Sequence, residues 1–333
     1  MNILILRVSA IGDVIHTLPA IFLIKKIIPN AKISWVVQKK AANLLIDQPF
    51  LENVFVLPDK YLKRQNWKTT FKTIKKIKQT KWDLILDFQG ILKTSVIITF
   101  LKGLKIGFDK KNARAGITTI FTKKHITPNY TNIIQKNLSL ASESILKIDN
   151  SYILSPTINK MQKDFYLNYS DQQKNIVSLW LTKNKIQTLI LLAPNTTWPS
   201  KHWPTQNWQK LLDLLNKNKI QNMTITLIGK DFGEQAQLLS EYIKEKNLNI
   251  LFIPKWDLLT TAYLISKTDL LIAPDTGILH LGDYLNVKTL AIFGPTKVKK
   301  HGPFLKKENI KNAIQIDCPH FYQKTHTSKS QKS

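Results

Sequence analysis

Asp13 is the only acid in the first 46 residues. It stands in the run Ser9-Ala10-Ile11-Gly12-Asp13-Val14-Ile15-His16-Thr17-Leu18-Pro19. An apolar stretch from Ile3 to Val8 precedes this run, and Val14, Leu18, Ile21 and Phe22 follow at helical spacing. A carboxylate in that place has two uses. It caps a helix by accepting from free first-turn amides, or it takes a proton as a general base. Position alone leaves both open. Late in the chain, Asp275-Thr276-Gly277-Ile278-Leu279-His280 follows an apolar run and opens a helix. Pro274 is expected to end the strand and Asp275 to cap the helix. The amides of Thr276, Gly277 and Ile278 then lie at a positive helix end, which suits a diphosphate. Gly277 admits an anion close to the backbone. His280 falls one turn in, as a site residue or as a packed core histidine.

Three further loops carry polar groups. Pro194-Asn195-Thr196-Thr197-Trp198-Pro199-Ser200-Lys201-His202-Trp203-Pro204 places hydroxyls and a lysine after a strand, suited to phosphate oxygens. In the first half, Asp87-Phe88-Gln89-Gly90-Ile91-Leu92-Lys93-Thr94 follows another apolar strand, with Gly90 suited to a tight turn and Lys93 near a helix start. Residues 105–116 read as a basic loop in which Arg114 is suited to grip a carboxylate or phosphate with two bonds. Gly229-Lys230-Asp231-Phe232-Gly233-Glu234 and Gly294-Pro295-Thr296 add small and polar residues at strand ends.

Strand must alternate with helix to position these loops. Apolar runs at 3–8, 33–37, 54–57 and 84–87 read as buried parallel strands. In the second half, strands are expected at 188–193, 223–229, 250–253, 269–273 and 288–293. Helices are expected there at 205–217, 233–244, 257–267 and 276–285. That alternation predicts α/β architecture with doubly wound sheets, whose ligands bind at the carboxyl ends of the strands. Periodicity breaks over 149–171, and Asp171 to Lys183 reads as a linking helix, so a domain boundary is expected near residue 170. Residues 67–78 form a basic amphipathic helix, with Trp67, Phe71, Ile74 and Ile77 at helical spacing and Lys68, Lys72, Lys75, Lys76 and Lys78 between them.

The chain of 333 residues has a net charge of +27, and residues 60–81 hold nine bases and no acid. Such a field favours nucleic acid, an anionic membrane or an anionic substrate. Lys, Ile and Asn are all abundant, as when base composition drives codon use, but that does not account for an acid-free stretch. Nucleic acid is disfavoured because no aromatic platform or known binding motif accompanies the bases. Cys318 is the only cysteine, so no intrachain disulfide forms and a reducing compartment is expected. No secretion signal or membrane-length apolar run is visible. GxGxxG, GxxxxGK[ST], CxxC and HExxH are absent, as is any Asp-x-Asp pair. No resident metal or cofactor is therefore expected. Residues 319–333 read as a polar tail.

The run from Ser9 to Pro19 with Ala20, and Trp35-Val36-Val37 after it, resembles the opening signature of the family 9 glycosyltransferases, the bacterial heptosyltransferases. Asp87 to Lys93 resembles their acidic strand-end motif. Lys201-His202-Trp203-Pro204 with Trp208 resembles their nucleotide-domain loop. Asp275-Thr276-Gly277 with His280 resembles their best-known motif. The anchors run from residue 2 to about 296. Gln89 to Lys93 and Lys201 to Pro204 favour the type I branch of the family over type II.

The resemblance implies the GT-B fold: two Rossmann-like doubly wound domains facing across a cleft. Residues 1–170 bind the acceptor and 171–318 the donor. It implies inverting transfer of L-glycero-D-manno-heptose from ADP-heptose to Kdo on Kdo-lipid A, with Asp13 as base. Thr196, Thr197 and Lys201 bind the diphosphate, and Lys201 stabilises the leaving group. Asp275, Thr276, Gly277 and His280 hold heptose and diphosphate, and Glu234 lies near the adenosine ribose. Ser9, Gly12, Lys63, Arg64, Gln89, Lys93, Arg114 and Lys136 are expected on the acceptor side. Asn132 and Lys136 stand where the family usually shows His and Arg. The expected location is the cytoplasmic face of the inner membrane, peripherally bound, with 60–81 and 105–116 as candidate contacts.

Overall fold

The computed structural model describes residues 1–150, 165–218, 223–228 and 233–316. Cys318, the 319–333 tail, Gly229 to Phe232 and most of the aperiodic stretch at 149–171 lie outside the described residues. The chain divides into two compact units, Met1–Asn168 and Tyr169–Ser333.

The first unit contains β1 (Asn2–Leu6), β2 (Lys32–Gln38), β3 (Asn53–Leu57), β4 (Leu84–Asp87), β5 (Leu104–Phe108) and β6 (Lys124–Ile126). They form one sheet in the order β3-β2-β1-β4-β5-β6. All neighbours are parallel, with Ile5 opposite Trp35 on one side and Leu86 on the other. The apolar runs dictate this. Ile3, Leu4, Ile5 and Leu6 are fully buried, as a strand covered on both faces requires. On one face Leu4, Leu6 and Val8 meet Ile74, Ile77, Ile97 and Ile98, so helices Trp67–Lys78 and Leu92–Thr99 share a core. Only part of the expected stripe on the basic helix is buried: Ile74 and Ile77 pack inward, while Trp67 and Phe71 stay exposed. The supposed basic loop at 105–116 is also corrected. Its first residues belong to β5 because Ile106 and Phe108 alternate inward, leaving 109–116 as the loop.

The second unit contains β7 (Thr188–Leu192), β8 (Met223–Leu227), β9 (Leu251–Phe252), β10 (Leu270–Pro274), β11 (Thr289–Phe293) and β12 (Ala313–Gln315). Its parallel order is β12-β11-β10-β7-β8-β9. Trp208 and Leu212 of helix Thr205–Lys217 and Leu239 of helix Glu234–Glu245 fill the core against Leu192 and Leu227. Both units are thus doubly wound α/β sheets.

Each sheet has one place where connections leave in opposite directions. In the first unit β1 leads to β2 and β4 leads to β5. In the second β10 leads to β11 and β7 leads to β8. Loops diverge there, and their carboxyl ends leave a crevice for ligand.

Candidate active site

In the first unit the crevice between β1 and β4 is built around Asp13. The carboxylate sits in the short helix Ile11–Ile15, one turn past the end of β1. Its Oδ2 accepts from the Ala10 amide at 3.0 Å, so it does tie down its own helix start. It does more than cap. Arg7 Nη2 donates to Oδ1 at 3.1 Å and Arg114 Nη2 donates to Oδ2 at 2.6 Å. Arg7 Nε adds a bond to the Asp13 carbonyl at 3.3 Å, and Arg7 Nη1 donates to the carbonyl of Phe88.

Burial opposes the charge on Asp13, but the two guanidinium groups outweigh it and hold the carboxyl well below the usual range. Arg7 is itself so desolvated that its pKa falls to about 10 despite Asp13 beside it. The two cations differ in access: the Arg7 side chain is 1% exposed and that of Arg114 is 47% exposed.

The loop after β4 completes the crevice. Gln89 Oε1 accepts from Val8 N at 3.0 Å and Ser9 N at 3.3 Å, tying the ends of β1 and β4 together. Asp87 Oδ1 accepts from the amides of Gln89 and Gly90 at 3.0 and 3.1 Å. Burial pushes the Asp87 carboxyl up to about 6 even against those bonds. Gly90 takes φ +58°, where L side chains are strained, and its absent Cβ would lie 3.3 Å from Ala113 Cα and Arg114 N. Ala115 N donates to Gly90 O at 2.9 Å. This close approach delivers Arg114 to Asp13. Lys136 Nζ donates to Asn112 Oδ1 at 2.8 Å, on that same loop. Asn132 caps helix Ile133–Leu146 through Ile134 N.

Lys63, Arg64 and Lys93 are exposed. They lie after β3 and β4, at the carboxyl edge, and they are not among the groups bonded to Asp13. Ser9 meets Gln89 through its backbone, and Gly12 accepts from His16 N through its carbonyl at 2.9 Å.

The crevice of the second unit, between β10 and β7, is built around Asp275. The expected cap is corrected here: Thr276 caps helix Gly277–Tyr284, its hydroxyl accepting from Leu279 N at 3.3 Å. Asp275 is drawn instead to three side chains. Lys201 Nζ lies 2.6 Å from Oδ2, Thr296 Oγ1 donates to Oδ2 at 2.7 Å, and His280 Nε2 lies 3.0 Å from Oδ1. Burial works against the charge, yet His280 and Lys201 hold the carboxyl well below its ordinary range.

Thr196 donates its hydroxyl to the Trp198 carbonyl at 2.6 Å, which folds the loop that carries Lys201. Thr197 is exposed. Asn195 Oδ1 accepts from Ala236 N at 3.2 Å, fixing the start of the helix that Glu234 opens. Among the described residues, no group of three or more His, Cys, Asp or Glu is arranged to hold a metal ion.

Three residues not singled out in the sequence shape these crevices. Arg7 lies within the apolar run from Ile3 to Val8, one residue past β1, where a buried base demands a buried acid. His301 lies near Asp275, His280 and Lys201, and desolvation lowers its pKa to about 4. Asp283 is buried and accepts from the amides of Phe304 and Leu305 at 2.9 and 3.1 Å, anchoring the segment after His301.

The family model of glycosyltransferase family 9 (heptosyltransferase) matches residues 70–331. The chain belongs to glycosyltransferase family 9. A lipopolysaccharide heptosyltransferase 1 of Campylobacter coli is 26% identical over 309 residues, covering 89% of this chain and 84% of the relative. The Escherichia coli heptosyltransferase WaaC solved with ADP superposes with a TM-score of 0.75 at 21% identity, covering 100% of both chains. The Escherichia coli ADP-heptose lps heptosyltransferase II gives a TM-score of 0.71 at 16% identity, over 95% of this chain and 90% of that one. The chain thus has the GT-B fold and is a glycosyltransferase of the heptosyltransferase family.

Proposed function

We propose that this glycosyltransferase moves L-glycero-D-manno-heptose from ADP-heptose to Kdo of Kdo-lipid A, with inversion, in lipopolysaccharide inner-core synthesis. The observation that carries the reading is Asp13, kept ionised at the β1/β4 crevice by one buried and one half-exposed arginine. The residues at 1–168 take the acceptor and those from 169 take the donor. The Campylobacter coli relative, a lipopolysaccharide heptosyltransferase 1, supports this reading.

Asp13 receives the proton of the acceptor hydroxyl as that oxygen forms a bond to the anomeric carbon. The bond from that carbon to the diphosphate oxygen breaks, and its electron pair leaves with ADP. A carboxylate clamped by two guanidiniums is a weak base. The acceptor relieves this. Its own carboxylate or phosphate competes for Arg114, the accessible clamp, while Arg7 stays in place. Freed of one cation, Asp13 gains proton affinity as the acceptor arrives. Lys136, tied to the same loop, adds a second cation for that anion.

On the donor side, Lys201, the Thr196 and Thr197 hydroxyls and the amides at the start of helix Gly277–Tyr284 stabilise the charge on departing ADP. Asp275 with His280 and Thr296 orients Lys201. Glu234 faces the ribose.

A type II transfer, onto heptose, is the second reading. The comparable superposition of the Escherichia coli heptosyltransferase II keeps it in play, while Asn132 and Lys136 in place of His and Arg point to an acceptor with different phosphate or Kdo decoration. Incubating the protein with ADP-heptose and, separately, Kdo-lipid A or heptosyl-Kdo-lipid A decides the matter. ADP release with one heptose added to Kdo-lipid A is expected. Addition only to the heptosylated acceptor overturns the type I reading, and no transfer to either overturns the function.

A further inference from the structure

The segment that follows β11 is clamped at both ends. At its start Thr296 Oγ1 donates to Asp275 Oδ2 at 2.7 Å. Gln315 of β12 holds the same stretch, its Nε2 donating to the Gly294 carbonyl at 2.6 Å and its Oε1 accepting from Val298 N at 3.1 Å. At its end Asp283 accepts from the amides of Phe304 and Leu305 and from Asn309 Nδ2. Asp275 and Asp283 flank the two ends of helix Gly277–Tyr284, so one helix anchors the whole segment. Between the clamps runs the short helix Val298–His301. Gly302 then turns the chain tightly: a Cβ there would lie 2.6 Å from the Val298 carbonyl oxygen.

These clamps deliver His301 to the carboxyl edge of the sheet. Its imidazole is half-buried. The charged groups that face it are Asp275 after β10, His280 of helix Gly277–Tyr284, Lys201 of the loop after β7, and Lys300 of its own helix. Burial lowers the imidazole pKa to about 4 against the pull of Asp275, with Lys300, His280 and Lys201 adding to the fall. His301 is therefore neutral at neutral pH. Asp275 already has Lys201, Thr296 and His280 as partners, so its charge needs no further base. A diphosphate at Lys201 changes that balance, because an anion nearby favours the charged imidazole.

We propose that His301 is a further donor-binding residue, whose imidazole takes a proton from solvent as the diphosphate of ADP-heptose binds and then holds a phosphate oxygen as imidazolium. The proposal rests on the donor role given above to Lys201 and Asp275, and adds a proton to donor binding. No bond of the donor breaks in this step; one N–H bond forms on the imidazole. The same group serves the transfer. When the electron pair leaves with ADP, the phosphate gains a further negative charge, and an imidazolium already in place opposes it.

The test is calorimetric titration of the whole protein with ADP-heptose, without acceptor, in buffers of different ionisation enthalpy. Neither phosphate of a sugar nucleotide titrates between weakly acidic and neutral pH, so proton uptake belongs to the protein. If binding returns the imidazole to its ordinary pKa of about 6.5, the complex takes up close to one proton at about pH 5.5, and Kd falls roughly tenfold from about pH 7.5 to that pH. His301→Gln keeps ADP-heptose binding at the higher pH, which shows that it folds, and loses both the uptake and the tightening. Wild-type binding without proton uptake overturns the inference, and needs no variant to do so. Uptake that persists in His301→Gln belongs to another base, His280 first, and overturns it as well. Uptake seen equally with adenosine assigns the proton to the nucleoside and overturns the diphosphate contact. ADP-heptose that binds at neither pH overturns the donor reading of Lys201 and Asp275 and this inference with it, whereas binding with no linked proton overturns this inference alone.

Discussion

Replacing Asp13 by Asn tests whether one carboxylate serves both chemistry and structure. The change keeps the shape and removes the charge. Arg7, 1% exposed at its side chain, then loses its ionic partner. Removing one member of a buried pair costs about 3–5 kcal/mol. Arg7 keeps the carbonyls of Phe88 and Asp13 as acceptors, and the position 13 side chain still reaches water at 15% exposure. The expected loss therefore falls below that range, at about 2–3 kcal/mol of unfolding free energy. Turnover falls by about 10²–10⁴-fold, the usual contribution of a general base. ADP-heptose affinity is unchanged, because the donor residues belong to the other unit. Urea melts and initial rates are measured for Asp13→Asn, Arg7→Met and the double variant. The stability effects of the two changes couple by about 1–3 kcal/mol, since the double variant buries neither charge alone. Its turnover stays as low as that of Asp13→Asn. Near-normal turnover in Asp13→Asn refutes the base role. Additive stability losses refute the buried pair.

Three other outcomes are expected. Lys201→Ala lowers kcat by about 10²–10³-fold in rapid-quench turnover, with partial rescue by Lys201→Arg; a change confined to KM for the donor refutes the leaving-group role. Gly90→Ala loses about 1–2 kcal/mol in denaturant melts because φ is positive, and it raises the acceptor KM by shifting Arg114; a stability loss with an unchanged KM shows that this turn does not place Arg114. Asp87 and His301 oppose each other in pH dependence. The folded Asp87 pKa of about 6 is raised, so its contribution is full below about pH 4 and is lost as pH rises through 6. The folded His301 pKa of about 4 is lowered, so its contribution is full above about pH 6.5 and is lost as pH falls toward 4. Each amounts to roughly 3 kcal/mol by linkage. Asp87→Asn should leave stability rising from pH 4 to 6.5 in urea melts, and His301→Gln should leave it falling; unchanged slopes refute both assignments.

Nine of the twelve described strands were legible because their apolar runs are continuous; β5 read as loop and β6 is three residues with no apolar run. Leu84 to Asp87, the helix at 67–78 and the helix at 171–183 have the bounds that their sequence patterns give. β12 was not legible, since three half-exposed residues carry no pattern. Asp13 and Asp275 stood out by position, but their partners did not. Arg114, Lys201 and Thr296 reach them across 101, 74 and 21 residues, and pattern reading is local. Arg7 had the clearest unread signal, a charge within a run that must be buried. The Trp67 to Ile77 stripe misled because period fixes which residues share a face, not how far the core extends beneath them.

The order of strands in the first sheet bears on how the chain is made. β1 is synthesised first yet lies inside the sheet, between β2 and β4. Until residues 84–87 have emerged from the ribosome, one side of β1 has no neighbour, and its apolar residues stand at an open edge of the kind that recruits other chains. A nascent chain halted near residue 80 is therefore a sticky half-sheet, vulnerable to aggregation and a natural client for a chaperone. Arrival of Gln89, which bonds the amides of Val8 and Ser9, closes that edge and ends the exposure.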